Sequence, residues 1–171
     1  MQLILKNIIL VGPMGSGKTT VGRKLSESLN INFFDSDSEI IDNTGVSIDH
    51  IFDVEGEKGF RARESEALKK LCIMPNIVLA TGGGSVIFEE NRELMKQAGF
   101  VVYLSSSVDQ ILRRTAKSKT RPLLEKSNNR RKTITDIVES RDILYKDVAN
   151  LIVNTNGKKL KEVVAEIIEA L

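Results

Sequence analysis

The chain has 171 residues, 41% of them hydrophobic and 28% charged, which suits one domain of ordinary size over residues 1–171 and excludes wholesale disorder. Lys and Arg number 25 against 23 Asp and Glu, and the resulting +2 gives no general attraction to nucleic acid or to an anionic membrane. That total is unevenly spread: residues 113–132 hold nine basic residues and one acid, a net +8 that leaves −6 on the rest.

In chain order, Ile8-Ile9-Leu10-Val11 reads as a buried strand, and Val21, Leu25 and Leu29 follow at helical spacing. Residues 31–34 make a short second strand, with a helix expected over residues 36–43. Ser47 is placed to N-cap a short helix at residues 48–52. Asp42-Asn43-Thr44-Gly45 and Asp53-Val54-Glu55-Gly56 read as turns that end short helices. Leu68 and Leu71 continue a helical pattern, then Ile77-Val78-Leu79-Ala80, Phe100-Val101-Val102-Tyr103-Leu104 and Leu151-Ile152-Val153 supply three more strands. Val163, Val164, Ile167 and Ile168 give a last helix. Continuous apolar strands alternating with helices predict an α/β fold, a five-stranded parallel sheet covered on both faces. Residues 115–132 show neither period, as expected of a functional lid or a disordered loop.

Gly12-Pro13-Met14-Gly15-Ser16-Gly17-Lys18-Thr19 fits G-x-x-x-x-G-K-[ST] between a strand and a helix. The glycines let successive N–H groups face an anion, and the helix N-terminus adds its positive dipole end. Lys18 reaches phosphate as a point charge, and the Thr19 hydroxyl is placed to ligate Mg²⁺. This loop implies a nucleoside triphosphate but serves hydrolases, switches and small-molecule kinases alike. A GTPase is disfavoured, because no Asn-Lys-x-Asp occurs and neither Asp-x-x-Gly string follows an apolar strand.

Asp35 and Asp37 follow the second strand, at the carboxyl end where functional groups collect in open α/β sheets. In an extended segment they point to opposite sides, one toward a metal and one toward a substrate; the alternative is a helix N-cap. Arg61 and Glu64 stand at i and i+3, either a weak surface pair or a guanidinium held to clamp a carboxylate. Thr81-Gly82-Gly83-Gly84 permits close backbone approach to a ligand. Arg121-Pro122 marks a solvated basic loop or a lid arginine that neutralises transferring phosphate. Arg141, four residues before Tyr145, is a substrate group or a surface arginine stacked on that ring.

Taken in order, the phosphate loop, Asp35-Ser36-Asp37, Glu57-Lys58-Gly59-Phe60-Arg61-Ala62-Arg63-Glu64, Gly82-Gly83-Gly84, Arg121-Pro122-Leu123-Leu124 and Arg141-Asp142-Ile143-Leu144-Tyr145 resemble the shikimate kinase family over essentially the whole chain. The resemblance implies a three-layer α/β/α P-loop NTPase fold, nucleoside monophosphate kinase-like, with a mobile lid at residues 115–132. It implies ATP-dependent phosphorylation of the shikimate 3-hydroxyl, with Mg²⁺. By similarity, Met14, Gly15, Ser16, Gly17, Lys18, Thr19 and Thr20 surround ATP, joined by Arg114, Arg121 and Lys158 of the Asn156-Gly157-Lys158 turn. Arg61 and Arg141 would hold the shikimate carboxylate beside Gly82, Gly83 and Gly84, and Asp37 its ring hydroxyls. Lys18, Asp37 and Arg121 would be catalytic, and Asp35 would act on the metal through water. The family often has proline where Ile143 stands.

The nearest rivals are kinases of gluconate or of a nucleoside monophosphate. A non-catalytic nucleotide-dependent module would have no use for the Asp37, Arg61 and Arg141 set. A nucleic-acid binder is disfavoured, because the basic window lacks interleaved aromatic residues. One cysteine, Cys72, forms no internal disulfide and is expected in the core; one histidine, His50, excludes a multi-histidine metal centre. No apolar run approaches the roughly 20 residues that span a bilayer, and the N-terminus lacks a signal peptide's features. A cytoplasmic monomer is the expectation.

Overall fold

The computed structural model describes residues 6–117, 122–125 and 127–171. Strands β1 (Asn7–Val11), β2 (Asn32–Asp35), β3 (Ile77–Ala80), β4 (Gly99–Ser105) and β5 (Leu151–Asn154) form one parallel sheet in the order β2-β3-β1-β4-β5. The helices are α1 (Lys18–Leu29), α2 (Ser36–Thr44), α3 (Ile48–Cys72), α4 (Glu89–Ala98), α5 (Val108–Thr115), α6 (Pro122–Glu125), α7 (Arg130–Val148) and α8 (Leu160–Ala170).

Strand period two divides the apolar runs between two cores. Ile9, Val11, Leu79, Val101 and Tyr103 pack against Leu68 and Leu71 of α3, Met95 of α4, and Tyr145 and Val148 of α7. Ile8, Leu10, Val78, Val102, Leu104 and Val153 pack on the opposite face against Val21 and Leu25 of α1 and Val163, Val164 and Ile167 of α8. The expected sheet, covered on both faces, is therefore present. β1 occupies its centre, so the loop that leaves β1 opens at the carboxyl edge, where the strand order reverses and a crevice forms.

Cys72 is buried, and burial pushes its thiol up to about 11, which makes it an inert core residue. Gly45 ends α2 in the left-handed conformation, at φ 69. Three local features bear on the sequence reading. Ser47 caps a helix as foreseen, its hydroxyl accepting from His50 N, but α3 runs on to Cys72 with one break at Gly56 (φ 72, ψ −177). Within residues 115–132, residues 122–125 form the single turn α6, and α7 starts at Arg130. Leu124 of α6 is buried against Met14, Ile111 and Ile134, an anchor that a periodicity window of 11–18 residues cannot register. Helix α7 passes through Ile143 without interruption, and that side chain is 72% exposed.

Candidate active site

The phosphate loop turns on Gly15 and Gly17, at φ 73 and 93, conformations that L side chains rarely adopt. Gly17 then begins α1 with no side-chain cap and no acid in the first turn, which leaves the helix N-terminus to an incoming anion. Lys18 Nζ donates to the loop carbonyls of Gly12 (2.7 Å) and Pro13 (3.0 Å). Arg114 crosses from α5 and donates from Nη1 to the Gly15 carbonyl at 2.9 Å. Burial, and secondarily neighbouring Arg113, lower the pKa of Arg114 from its ordinary value.

Asp35 does two jobs at once. One carboxylate oxygen accepts from the backbone N–H of Asp37 (2.9 Å) and Ser38 (3.2 Å), which caps α2, and the other accepts from the Thr19 hydroxyl at 2.8 Å. Both readings of Asp35 therefore fit its geometry. A hydroxyl beside a carboxylate is a hard-oxygen pair of the kind Mg²⁺ prefers. No group of three His, Cys, Asp or Glu able to hold a metal occurs among the described residues, so phosphate oxygens and water would have to complete the shell. Asp37 is not on the pleated strand, as the alternation argument assumed; it lies in the first turn of α2, and helix geometry aims it.

These groups border a cleft of about 780 Å³, which residues 15–21, Asp35, Asp37, Arg114 and Lys158 line together with Thr155, Leu160 and Val163. A smaller cavity of about 80 Å³ adjoins it, where Arg61, Arg141, Gly82, Gly83 and Gly84 meet Met14, Ile48, Phe52, Phe60, Pro122 and Leu123. Asp37, Ile48, Gly82 and Gly83 line both, and Asp37 is the one ionisable side chain at that junction among the described residues.

The surface reading of Arg61 fails. Arg61 is 6% exposed and Glu64 0%, with Nη1 donating to Glu64 at 2.8 Å. Glu64 also accepts from Ser85 Oγ at 3.1 Å. Burial works against the Arg61 charge, but the Glu64 and Glu57 carboxylates outweigh it and hold the pKa above the ordinary arginine value. Breaking such a buried pair costs about 3–5 kcal/mol. Arg141 is 8% exposed and likewise not a surface group. Its neighbour Tyr145 donates to the Gly83 carbonyl at 2.5 Å and stacks on Tyr103 with centroids 4.9 Å apart. Burial pushes the Tyr145 phenol up to about 12, so it remains a donor throughout the neutral range.

The glycine run serves the protein's own side chains as well as a ligand. A Cβ on Gly84 would collide with the Arg61 guanidinium, and one on Gly82 would stand 2.5 Å from Glu64 Oε1. Ser36 Oγ accepts from Gly82 N–H at 3.0 Å, which ties this loop to the start of α2.

A family profile described as shikimate kinase matches residues 14–171. The chain belongs to the shikimate kinase family. A shikimate kinase from Thioalkalivibrio sulfidiphilus is 50% identical over 161 residues, covering 94% of this chain and 84% of that protein. The solved shikimate kinase from Acinetobacter baumannii in complex with shikimate has a TM-score of 0.94 at 46% identity, covering 97% of this chain and 92% of that one. A gluconokinase from Sinorhizobium meliloti, covering 97% of this chain and 91% of its own, has a TM-score of 0.62 at 16% identity and so shares the fold alone.

Within this shikimate kinase frame, every site residue expected from the sequence borders one of the two cavities except Arg121, which lies outside the described residues. Met14 was expected with the nucleotide, but it lines the smaller cavity. Sequence reasoning missed the apolar walls Ile48, Phe52, Phe60 and Leu123, and missed Thr155, Leu160 and Val163 beside Lys158. Only Phe60 carried a signal, its adjacency to Arg61. No helix of the described residues is long and apolar enough to cross a membrane.

Proposed function

We propose that this chain, acting as one monomeric domain in the cytoplasm, transfers the γ-phosphoryl group of ATP to the 3-hydroxyl of shikimate, with Mg²⁺, giving shikimate 3-phosphate and ADP. The observation that carries the reading is the placement of Asp37 between a phosphate-loop cleft and a small cavity backed by two buried arginines. Arg61 and Arg141 hold the carboxylate at the end remote from chemistry, which orients the ring before reaction. Asp37 orients the 3-hydroxyl toward the γ-phosphorus. The hydroxyl oxygen bonds to phosphorus as the bond to the β–γ bridging oxygen breaks, and ADP leaves with that electron pair. The hydroxyl proton passes to Asp37 or to the transferred phosphoryl, since a loose transition state needs no strong base. Lys18 exchanges the Gly12 and Pro13 carbonyls for anionic phosphate oxygens, which are stronger acceptors. Thr19 and Asp35 would hold Mg²⁺, which neutralises charge on the phosphates when bound. Arg121 is assigned to the phosphates by its place in the family motif.

The test is ADP release with ATP and Mg²⁺ over shikimate, gluconate and nucleoside monophosphates. Shikimate alone should support turnover; a folded sample inactive with shikimate but active with either rival overturns the reading. The same assay checks Tyr145. Tyr145→Phe strands the Gly83 carbonyl, at a cost of about 1–3 kcal/mol. The melting temperature should therefore fall by roughly 2–12 °C. The shikimate KM should rise several-fold with kcat nearly unchanged. A variant that matches wild type in both melting and KM removes Tyr145 from the site.

A further inference from the structure

Arg61 is shared between two glutamates that differ sharply in surroundings. Nη1 is held by Glu64 at 2.8 Å and Nη2 by Glu57 at 3.2 Å. The Glu64 side chain is 1% exposed and keeps Ser85 as a further partner, so it has no route to water. The Glu57 side chain is 50% exposed. Water reaches the Glu57 end of this pair, so that carboxylate gives up its bond at less cost than the fully buried Glu64. Space for the exchange exists. Glu57 borders an open groove of about 450 Å³ together with Gly56, Phe52, Pro122, Leu123 and Thr133. Phe52, Pro122 and Leu123 also line the smaller cavity, so a single layer of side chains separates that groove from the acceptor. Gly56, where α3 breaks, immediately precedes Glu57 and frees it from the first helical segment.

The charges make the same point. Around the smaller cavity the basic side chains Arg61 and Arg141 are outnumbered by three acidic ones, Asp37 and Glu64 in its lining and Glu57 on Arg61. An incoming carboxylate is repelled by that set unless one acid withdraws. Glu64 is locked and Asp37 faces the reacting hydroxyl, which leaves Glu57.

We propose that Glu57 is a stand-in for the acceptor carboxylate: it occupies Nη2 of Arg61 while the cavity is empty, and the acceptor displaces it into the neighbouring groove. This rests on the proposed function, since it requires an anionic acceptor at Arg61. Glu57 keeps the buried guanidinium paired between turnovers and sets acceptor affinity through an exchange of one carboxylate for another.

Glu57→Gln removes the charge and keeps the shape. Its shikimate KM, and its Kd by titration calorimetry, should fall about two- to fivefold, the scale of a solvent-accessible ion pair. The ATP KM and kcat should stay within about twofold, because the effect is confined to acceptor binding. Added salt should narrow the gap between variant and wild type, since Glu57 is half exposed. The methyl ester of shikimate, which carries no charge for Glu57 to compete with, should show no gain. Glu57→Ala should lower the shikimate KM as well, whereas a purely structural role would raise it in both variants. A wild type that turns over shikimate beside a Gln variant with unchanged or raised KM overturns this inference alone. A wild type with no shikimate turnover overturns the proposed function and this inference with it.

Discussion

Asp37→Asn should lower kcat by about three orders of magnitude, within the range of a positioned proton acceptor. The substitution keeps the side chain's shape and removes its charge. At the junction of the two cavities, Asp37 is the described ionisable group best placed to orient the 3-hydroxyl toward the γ-phosphorus. An amide there presents a neutral oxygen or a competing donor, so under the proposed function the hydroxyl loses its orientation, and with it any proton transfer to Asp37. The ATP KM should hold, because Lys18, Arg114 and the N-terminus of α1 are untouched. Folding should hold as well. The cap on α2 is made by the Asp35 carboxylate to the Asp37 backbone, which asparagine retains. The measurement is steady-state kinetics beside a thermal melt. An Asn variant with wild-type kcat would remove Asp37 from the chemistry, and one that melts far below wild type would make the loss structural.

How far the site could be read in advance follows from the range of each interaction. The phosphate loop was legible because its function is local: strand, turn and helix N-terminus are consecutive, and Gly15 and Gly17 announce the backbone conformation they take. The five strands were legible for the same reason, although β2 runs one residue later than residues 31–34 suggest. Arg61 was not. An Arg and a Glu three apart on a helix look the same whether water or Gly84 lies beside them, and only packing of α3 against the loop after β3 decides. Arg141 is hidden in the same way, since α7 reaches Gly83 only through the folded core. What the charge of the basic window cannot show is which of its members are already engaged. Arg130 donates to the Thr115 carbonyl at 2.8 Å, Arg131 pairs with Asp109 at 2.7 Å and Lys132 with Asp136 at 2.7 Å. Among the described residues of that window, Arg114 alone borders the phosphate-loop cleft. Exposed pairs such as those of Arg131 and Lys132 neutralise the sequence total without adding much stability.

Gly84→Ala should raise the shikimate KM by about 30- to 300-fold, corresponding to roughly 2–3.5 kcal/mol of lost acceptor binding. The added methyl would overlap Nη1, Cζ and Nη2 of Arg61 together, the rigid tip of a side chain whose movement is restrained by its bonds to Glu64 and Glu57. Arg61 cannot swing clear without breaking its 2.8 Å bond to Glu64, which is fully buried and would lose its cationic partner. The alternative is a backbone shift at Gly84, whose carbonyl accepts from Ile87 N–H at 3.1 Å. Either response costs stability, about 2–4 kcal/mol by the scale of overpacking and broken buried pairs. The ATP KM should change little, because Gly84 does not line the larger cleft. The neighbours supply an internal control. A Cβ at Gly82 meets Glu64 Oε1 at 2.5 Å, and one at Gly83 meets nothing closer than Met14 N at 3.3 Å. Damage to acceptor binding should therefore fall from Gly84 through Gly82 to Gly83. If the run existed only to let a ligand approach the backbone, Gly83→Ala would be as harmful as Gly84→Ala, since Gly83 borders both cavities and Gly84 only one. Kinetics and denaturant melts on the three variants separate these cases. Equal KM values across the three would show that the position of Arg61 does not depend on the missing side chain at Gly84.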